Sequence, residues 1–209
     1  MPTMTAMFFT EIILIIAAYL LGSVSTAVIV SRLGGTPDPR DVGSKNPGAT
    51  NVYRTAGKRA AGVTLLGDIL KGVIPVLVAH WAELGPLGIS LVALAALLGH
   101  CYPVFFQFKG GKGVATAFGA LLTVQWTIGL SLLLVWLVVF TLTRISSLSA
   151  IIASLTVPIS AYYSQTESIL VLNIIALIVI WRHYGNILNL FHGDESGFKK
   201  PKDDSDLSD

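Results

Sequence analysis

Ile12-Ile13-Leu14-Ile15-Ile16-Ala17-Ala18-Tyr19-Leu20-Leu21-Gly22-Ser23-Val24-Ser25-Thr26-Ala27-Val28-Ile29-Val30 is a run of nineteen residues without a charge. As a helix it would be about 28 Å long, close to the ~30 Å hydrocarbon thickness of a bilayer. It reads as a membrane span, and Arg32 ends it. Gly22, Ser23, Ser25, Thr26 and Ala27 give it a small-residue stretch suited to close helix packing. No Lys or Arg precedes it, whereas a cleaved signal peptide carries a positive n-region, so the span is read as permanent.

The rest of the chain agrees. Of 209 residues, 53% are hydrophobic and 12% charged, against about a quarter charged in a soluble domain. Further apolar runs lie at 60–79, 87–106, 127–143, 148–163 and 169–181, with a shorter one at 113–125. The expected fold is all-α: a polytopic integral membrane protein with seven transmembrane helices, one of them short (113–125). A five-span alternative makes 113–143 a hairpin dipping in from the inside and keeps the same ends inside and outside. Residues 1–192 are expected to form one membrane-embedded domain. Residues 193–209, charged and poor in apolar side chains, are expected to be a disordered tail.

Basic residues orient the spans. With the N-terminus outside and seven crossings, thirteen of the fourteen Lys and Arg fall on the cytoplasmic side. They lie in the 32–59 loop, the 109–112 turn, at Arg144 and in the C-terminal region. The fourteenth, Lys71, lies within a span, three residues from Asp68 and so on the same helix face. Charges inside a span normally face the bundle interior and pair. The one cysteine, Cys101, excludes an intrachain disulfide. No basic and aromatic run suggests nucleic acid.

Three polar clusters share the inner side. The first is Gly43-Ser44-Lys45-Asn46-Pro47-Gly48-Ala49-Thr50-Asn51-Val52-Tyr53-Arg54. It combines hydroxyls, amides and glycines with a guanidinium fork suited to phosphate or carboxylate. The second is Phe108-Lys109-Gly110-Gly111-Lys112-Gly113-Val114-Ala115-Thr116, a glycine-rich turn opening a helix. Free N–H groups at a helix start attract anions. The turn is not a Walker A loop, since Gly113 stands where Ser or Thr is required. The third holds His183 and Asn186, which share a face if the last helix continues through them. His100 sits deep enough to need a hydrogen-bond partner. The set suits a small phosphorylated polyol, with the spans giving access to a lipid-soluble partner. The four histidines and one cysteine show no metal-ligand spacing, and no Gly-x-Ser-x-Gly elbow occurs. No cofactor is implied.

These motifs, with Asp68, Lys71 and Gly72, Gly99-His100-x-Tyr102-Pro103 and His183-x-x-Asn186-Ile187-x-x-Leu190-x-x-Gly193-x-Glu195, resemble the bacterial acyl-phosphate:glycerol-3-phosphate acyltransferase family, PlsY. The resemblance covers about residues 12 to 195. It implies a multi-pass enzyme of the bacterial inner membrane with a cytoplasmic active site. The 1-hydroxyl of sn-glycerol 3-phosphate would attack a fatty acyl phosphate, giving lysophosphatidate and inorganic phosphate in the first acylation of phospholipid synthesis. The donor-making enzyme would be a functional neighbour. Carried over by position, Ser44, Arg54 and Lys112 would hold phosphate, with Lys109 a further cation beside them. Asn46, Thr50 and Asn51 would shape the glycerol pocket, and Gly111 and Gly113 would let the helix start meet a phosphate. His183 and Asn186 would orient the glycerol. His183 is one candidate general base, and a substrate phosphate is the other. Asp68, Lys71, His100 and Glu195 would support the site. Tyr102 replaces an expected Phe, and Asn189 stands where Arg is common. The competing class is a transporter of anionic solutes, built on intramembrane Asp68 and Lys71 and a broken helix at 113–125.

Overall fold

A computed structural model describes residues 4–198, and among these all regular structure is helical. The helices are α1 (Met4–Gly22), α2 (Thr26–Leu33), α3 (Ala49–Trp81), α4 (Pro86–Cys101), α5 (Val114–Val124), α6 (Trp126–Thr143), α7 (Ser146–Tyr163), α8 (Ile169–Arg182) and α9 (Tyr184–His192). Five stretches are long and apolar enough to cross a membrane: Met7–Leu33, Ala49–Trp81, Pro86–Phe106, Trp126–Thr143 and Ser146–Tyr163. A sixth is α8 with α9, if that pair, bent by 52°, counts as one span. The expected seventh, α5, has eleven residues and so runs only about 16 Å.

Two expected boundaries move. The run 12–30 is divided between α1 and α2 at residues 23–25. The freed carbonyl of Val24 accepts a hydrogen bond from Lys71 Nζ at 3.0 Å, a long-range partner that the local sequence does not announce. The second span begins well before residue 60. Gly48 is the N-cap of α3, and Ala49–Arg54 form its first turns, separated from the long limb by a break at Gly57 (φ 83°, ψ 179°). Half of the first polar cluster is therefore helix start, not loop.

Helix association follows small residues. In lipid there is little hydrophobic gain in pairing two apolar helices, so close van der Waals approach matters more. α1 packs along α4, and α3 along α5. A side chain on Gly99 would strike the Tyr19 carbonyl, and one on Gly22 that of Ala96. Gly72 and Gly119 meet the carbonyls of Thr116 and Ile69 in the same way. α6 and α7 pair with each other, and α7 and α4 hold α8. The core joining them is rich in alanine, including Ala93, Ala96, Ala117, Ala120 and Ala153, around Leu97, Leu121, Ile128 and Ile175.

The loop between α2 and α3 is anchored by Arg40. Its guanidinium pairs with Asp38 at 2.7 Å, donates to the Phe106 carbonyl at 3.3 Å and lies over the Phe106 ring. The hydrogen bond from Arg40 holds the Asp38 carboxyl below its usual pKa.

Candidate active site

One cavity of about 670 Å³ collects the three polar clusters. Its lining includes Ser44, Asn46, Thr50, Asn51 and Arg54 from the first, Lys112 and Gly113 from the second, and His183 and Asn186 from the third. Asp68, His100, Asn189 and Glu195 also line it. Lys109 is exposed and outside this lining, while Gly111 and Lys71 stand behind it.

The first cluster is built around Asn51, which is 1% exposed. Its Oδ1 accepts from the Ser44 N–H at 2.9 Å. Its Nδ2 donates to the carbonyls of Pro39 and Val42 at 2.8 and 3.1 Å. With both amide hydrogens engaged, Asn51 braces the loop that presents Ser44 while itself lining the cavity. The first turn of α3 brings Ala49 and Thr50 into the cavity lining, at the positive end of the helix. Thr50 Oγ1 lies 3.3 Å from Ser146 Oγ. Arg54 Nη2 donates to the carbonyls of Gly197 and Ser196 at 3.1 and 3.4 Å.

The glycine-lysine turn enters α5 through Gly113, whose φ of +81° is left-handed. A Cβ there would also meet the end of the Leu97 side chain, but it is the left-handed backbone that favours glycine. The Lys112 ammonium donates to Asn186 Oδ1. Burial lowers its pKa, against the opposing pull of Glu195, and Arg182 and Arg54 lower it further. Behind the turn, Arg182 donates from Nε to the Gly111 carbonyl and from Nη2 to the Gly110 carbonyl, both at 3.0 Å.

The helix does not continue through the third cluster. α8 ends at Arg182, His183 is the junction, and α9 departs at 52°. His183 and Asn186 nevertheless line the same cavity. His183 is 2% exposed, and its Nδ1 lies 2.7 Å from the Val179 carbonyl. A carbonyl only accepts, so Nδ1 carries the hydrogen and a neutral ring leaves Nε2 as an acceptor. Glu195 Oε1 accepts from Asn186 Nδ2 at 2.6 Å and from Ser147 Oγ. Asn189 Nδ2 lies 3.4 Å from the other carboxylate oxygen.

Residues 194–198, part of the stretch 193–209 expected to be a disordered tail, run along the site, where Glu195 and Ser196 line the cavity. Phe198 stacks on Tyr53 with ring centroids 4.6 Å apart, and its N–H donates to the Arg144 carbonyl at 2.7 Å. The rest of the expected tail, 199–209, lies outside the described residues.

Below the polar groups, Asp68 and Lys71 pair at 2.9 Å with almost no exposure. His100 Nδ1 lies 3.7 Å from Asp68 Oδ1 and 3.2 Å from Thr116 Oγ1, so His100 has its partner. Among the described residues no three His, Cys, Asp or Glu side chains gather as a metal ion would require. Arg182, Ser146, Ser147 and Trp136, which no sequence motif singles out, also line the cavity. Arg182 had one local signal, its place directly before His183, but in the sequence it counts only among the basic residues of the C-terminal region.

A family model described as glycerol-3-phosphate acyltransferase matches residues 12–193. A glycerol-3-phosphate acyltransferase of Thioalkalivibrio sulfidiphilus is 54% identical over 184 residues, covering 87% of this chain and 91% of its own length. That of Idiomarina loihiensis is 47% identical over 189 residues, covering 90% and 96%. Two crystal structures of PlsY (YgiH), an integral membrane glycerol 3-phosphate acyltransferase, are similar in fold. The glycerol 3-phosphate form has a TM-score of 0.86 at 39% identity, and the lysophosphatidic acid form 0.82 at 36%. Each comparison covers 91% of this chain and 96% of the other. The polar cavity built by the three motifs is thus carried by a chain that belongs to the glycerol-3-phosphate acyltransferase family.

Proposed function

We propose that this protein transfers a fatty acyl group from acyl phosphate to the 1-hydroxyl of sn-glycerol 3-phosphate. The products are 1-acyl-sn-glycerol 3-phosphate and inorganic phosphate. The observation that carries the reading is the dual lining of the cavity. Arg54, Lys112 and Arg182 supply cations beside the helix starts at Ala49 and Val114. Leu65, Ile69, Phe118, Leu132 and Leu133 supply an apolar wall. Such a lining suits molecules with a phosphate at one end and a hydrocarbon chain at the other. The solved relatives named for glycerol 3-phosphate and lysophosphatidic acid forms agree with that chemistry.

Acyl phosphate is a mixed anhydride with a good leaving group, so the reaction needs little covalent help. The hydroxyl oxygen forms a bond to the acyl carbon, the bond from that carbon to the phosphate oxygen breaks, and the hydroxyl proton ends on the departing phosphate. Cations at the phosphates and fixed placement of the hydroxyl supply the acceleration. His183, with Nδ1 tied to Val179, offers Nε2 to the glycerol hydroxyl. A near-normal maximal rate for His183→Gln would exclude His183 as an obligatory base and assign the proton to a substrate phosphate. A large fall in maximal rate would leave His183 in the proton path.

The seven-crossing, N-terminus-outside arrangement belongs to this reading. α5 counts as the short crossing, since α3, α4, α6 and α8 pack around it and shield it from lipid. The site then faces the cytoplasm of the bacterial inner membrane, where basic residues concentrate. Functional coupling to an enzyme that makes acyl phosphate follows from the donor. The test is lysophosphatidate formation by purified protein given palmitoyl phosphate or palmitoyl-CoA. Product from the first alone supports the reading, and product from the thioester as readily would overturn the donor assignment.

A further inference from the structure

We propose that Arg182 is a positioning residue that sets the rotation of the Gly110–Gly111–Lys112 backbone and so aims the phosphate-binding turn. The proposal deepens the function proposed above and rests on it. Arg182 is the last residue of α8, so its backbone is fixed by a packed helix. Its Nε and Nη2 reach the Gly111 and Gly110 carbonyls at 3.0 Å each. The guanidinium carbon lies 5.2 Å from the centre of the Tyr102 ring. On the other side, the Gly111 N–H donates to the His100 carbonyl at 3.1 Å. The turn is therefore pinned between α4 and α8.

The consequence follows from peptide geometry. In a trans peptide the C=O and N–H point in opposite directions. Holding the Gly111 carbonyl toward Arg182 turns the Lys112 N–H the opposite way. Among the described residues, the N–H groups of Lys112 and Gly113 have no partner within the protein. They are left for an anion, beside the Lys112 ammonium. A planar fork is required for this grip, because two adjacent carbonyls must be held at once in fixed directions. Lysine would restore the charge but not the fork.

The experiment compares wild type, Arg182→Lys and Arg182→Ala in the acyl phosphate reaction, varying each substrate in turn. The expected result is a KM raised at least about tenfold by both variants for one phosphate substrate. The substrate affected identifies which phosphate the turn holds. Added guanidinium should restore Arg182→Ala where ammonium does not, which also shows that the variant is folded. Wild-type KM values in Arg182→Lys, or equal rescue by ammonium, would overturn the proposal and leave Arg182 as a charge alone. Thermal stabilisation by inorganic phosphate gives a readout independent of turnover. Stabilisation of wild type but not of Arg182→Lys supports the clamp even if the proposed reaction fails. An equal shift in both, including none, contradicts it.

Discussion

Asn186 Nδ2 donates to Glu195 Oε1 at 2.6 Å, and that bond decides which way the Asn186 carboxamide faces. With its nitrogen committed to the carboxylate, its oxygen is the end presented to the Lys112 ammonium. Glu195 acts on the site through this bond. Glu195→Ala should lower kcat/KM by about ten- to a hundredfold and cost roughly 1–3 kcal/mol of stability, because Asn186 and Ser147 lose their acceptor. Glu195→Gln should fall less, since its carbonyl still accepts from Asn186. Steady-state kinetics and thermal unfolding of the two variants check this. Equal loss in both would contradict the orienting role.

Lys112 predicts a pH dependence. Burial lowers its pKa, so the ammonium is lost as pH rises through a value below the ~10.4 of an ordinary lysine. Activity that needs the charged form is full below that value and declines above it. The alkaline limb of kcat/KM should therefore fall earlier than an unperturbed lysine would give. Lys112→Arg, with a guanidinium that stays charged, should move that limb upward. An unmoved limb would mean that another group titrates there. Lys112→Met should lose on the order of 10²-fold or more at every pH, as expected for removing a cation from a developing phosphate charge.

The intramembrane pair Asp68–Lys71 makes a stability prediction. Removing one partner strands the other with almost no exposure, so Asp68→Asn or Lys71→Met should each cost about 3–5 kcal/mol. The double variant should cost clearly less than the sum. Thermal unfolding in detergent measures the cycle, and simple additivity would deny the coupling.

Helix contact through glycine makes another. Gly99→Val would push a side chain into the Tyr19 carbonyl, a backbone group that cannot rotate away, at a cost of about 1–3 kcal/mol or more. Gly62, in α3, has open space around a Cβ. Gly62→Ala should leave stability unchanged or raise it by about 0.4–1 kcal/mol. The two melting temperatures, taken side by side, separate steric contact from loss of glycine as such.

Local signals were legible in the sequence where physics is local. Asp68 and Lys71 announce their pairing by spacing, and the small residues of 22–27 announce close packing. Ser44, Arg54, Lys112 and His183 stand out by type, and they line one cavity. Features set by distant partners were not legible. At the break over 23–25 the Val24 carbonyl meets Lys71, a partner far along the chain. Asn51 lines the cavity, but the sequence does not announce its bonds to Pro39 and Val42. The early start of α3 was hidden because Thr50, Asn51 and Gly57 are weak helix formers. Arg182 carried no role in the sequence because its partners are backbone carbonyls about seventy residues away, as the bonds to Gly110 and Gly111 show.

The most direct measurement follows inorganic phosphate released from palmitoyl phosphate by the purified protein, with and without glycerol 3-phosphate. The account predicts release that depends on glycerol 3-phosphate and matches lysophosphatidate mole for mole. Release at the same rate without glycerol 3-phosphate, or no turnover from folded protein, would contradict it.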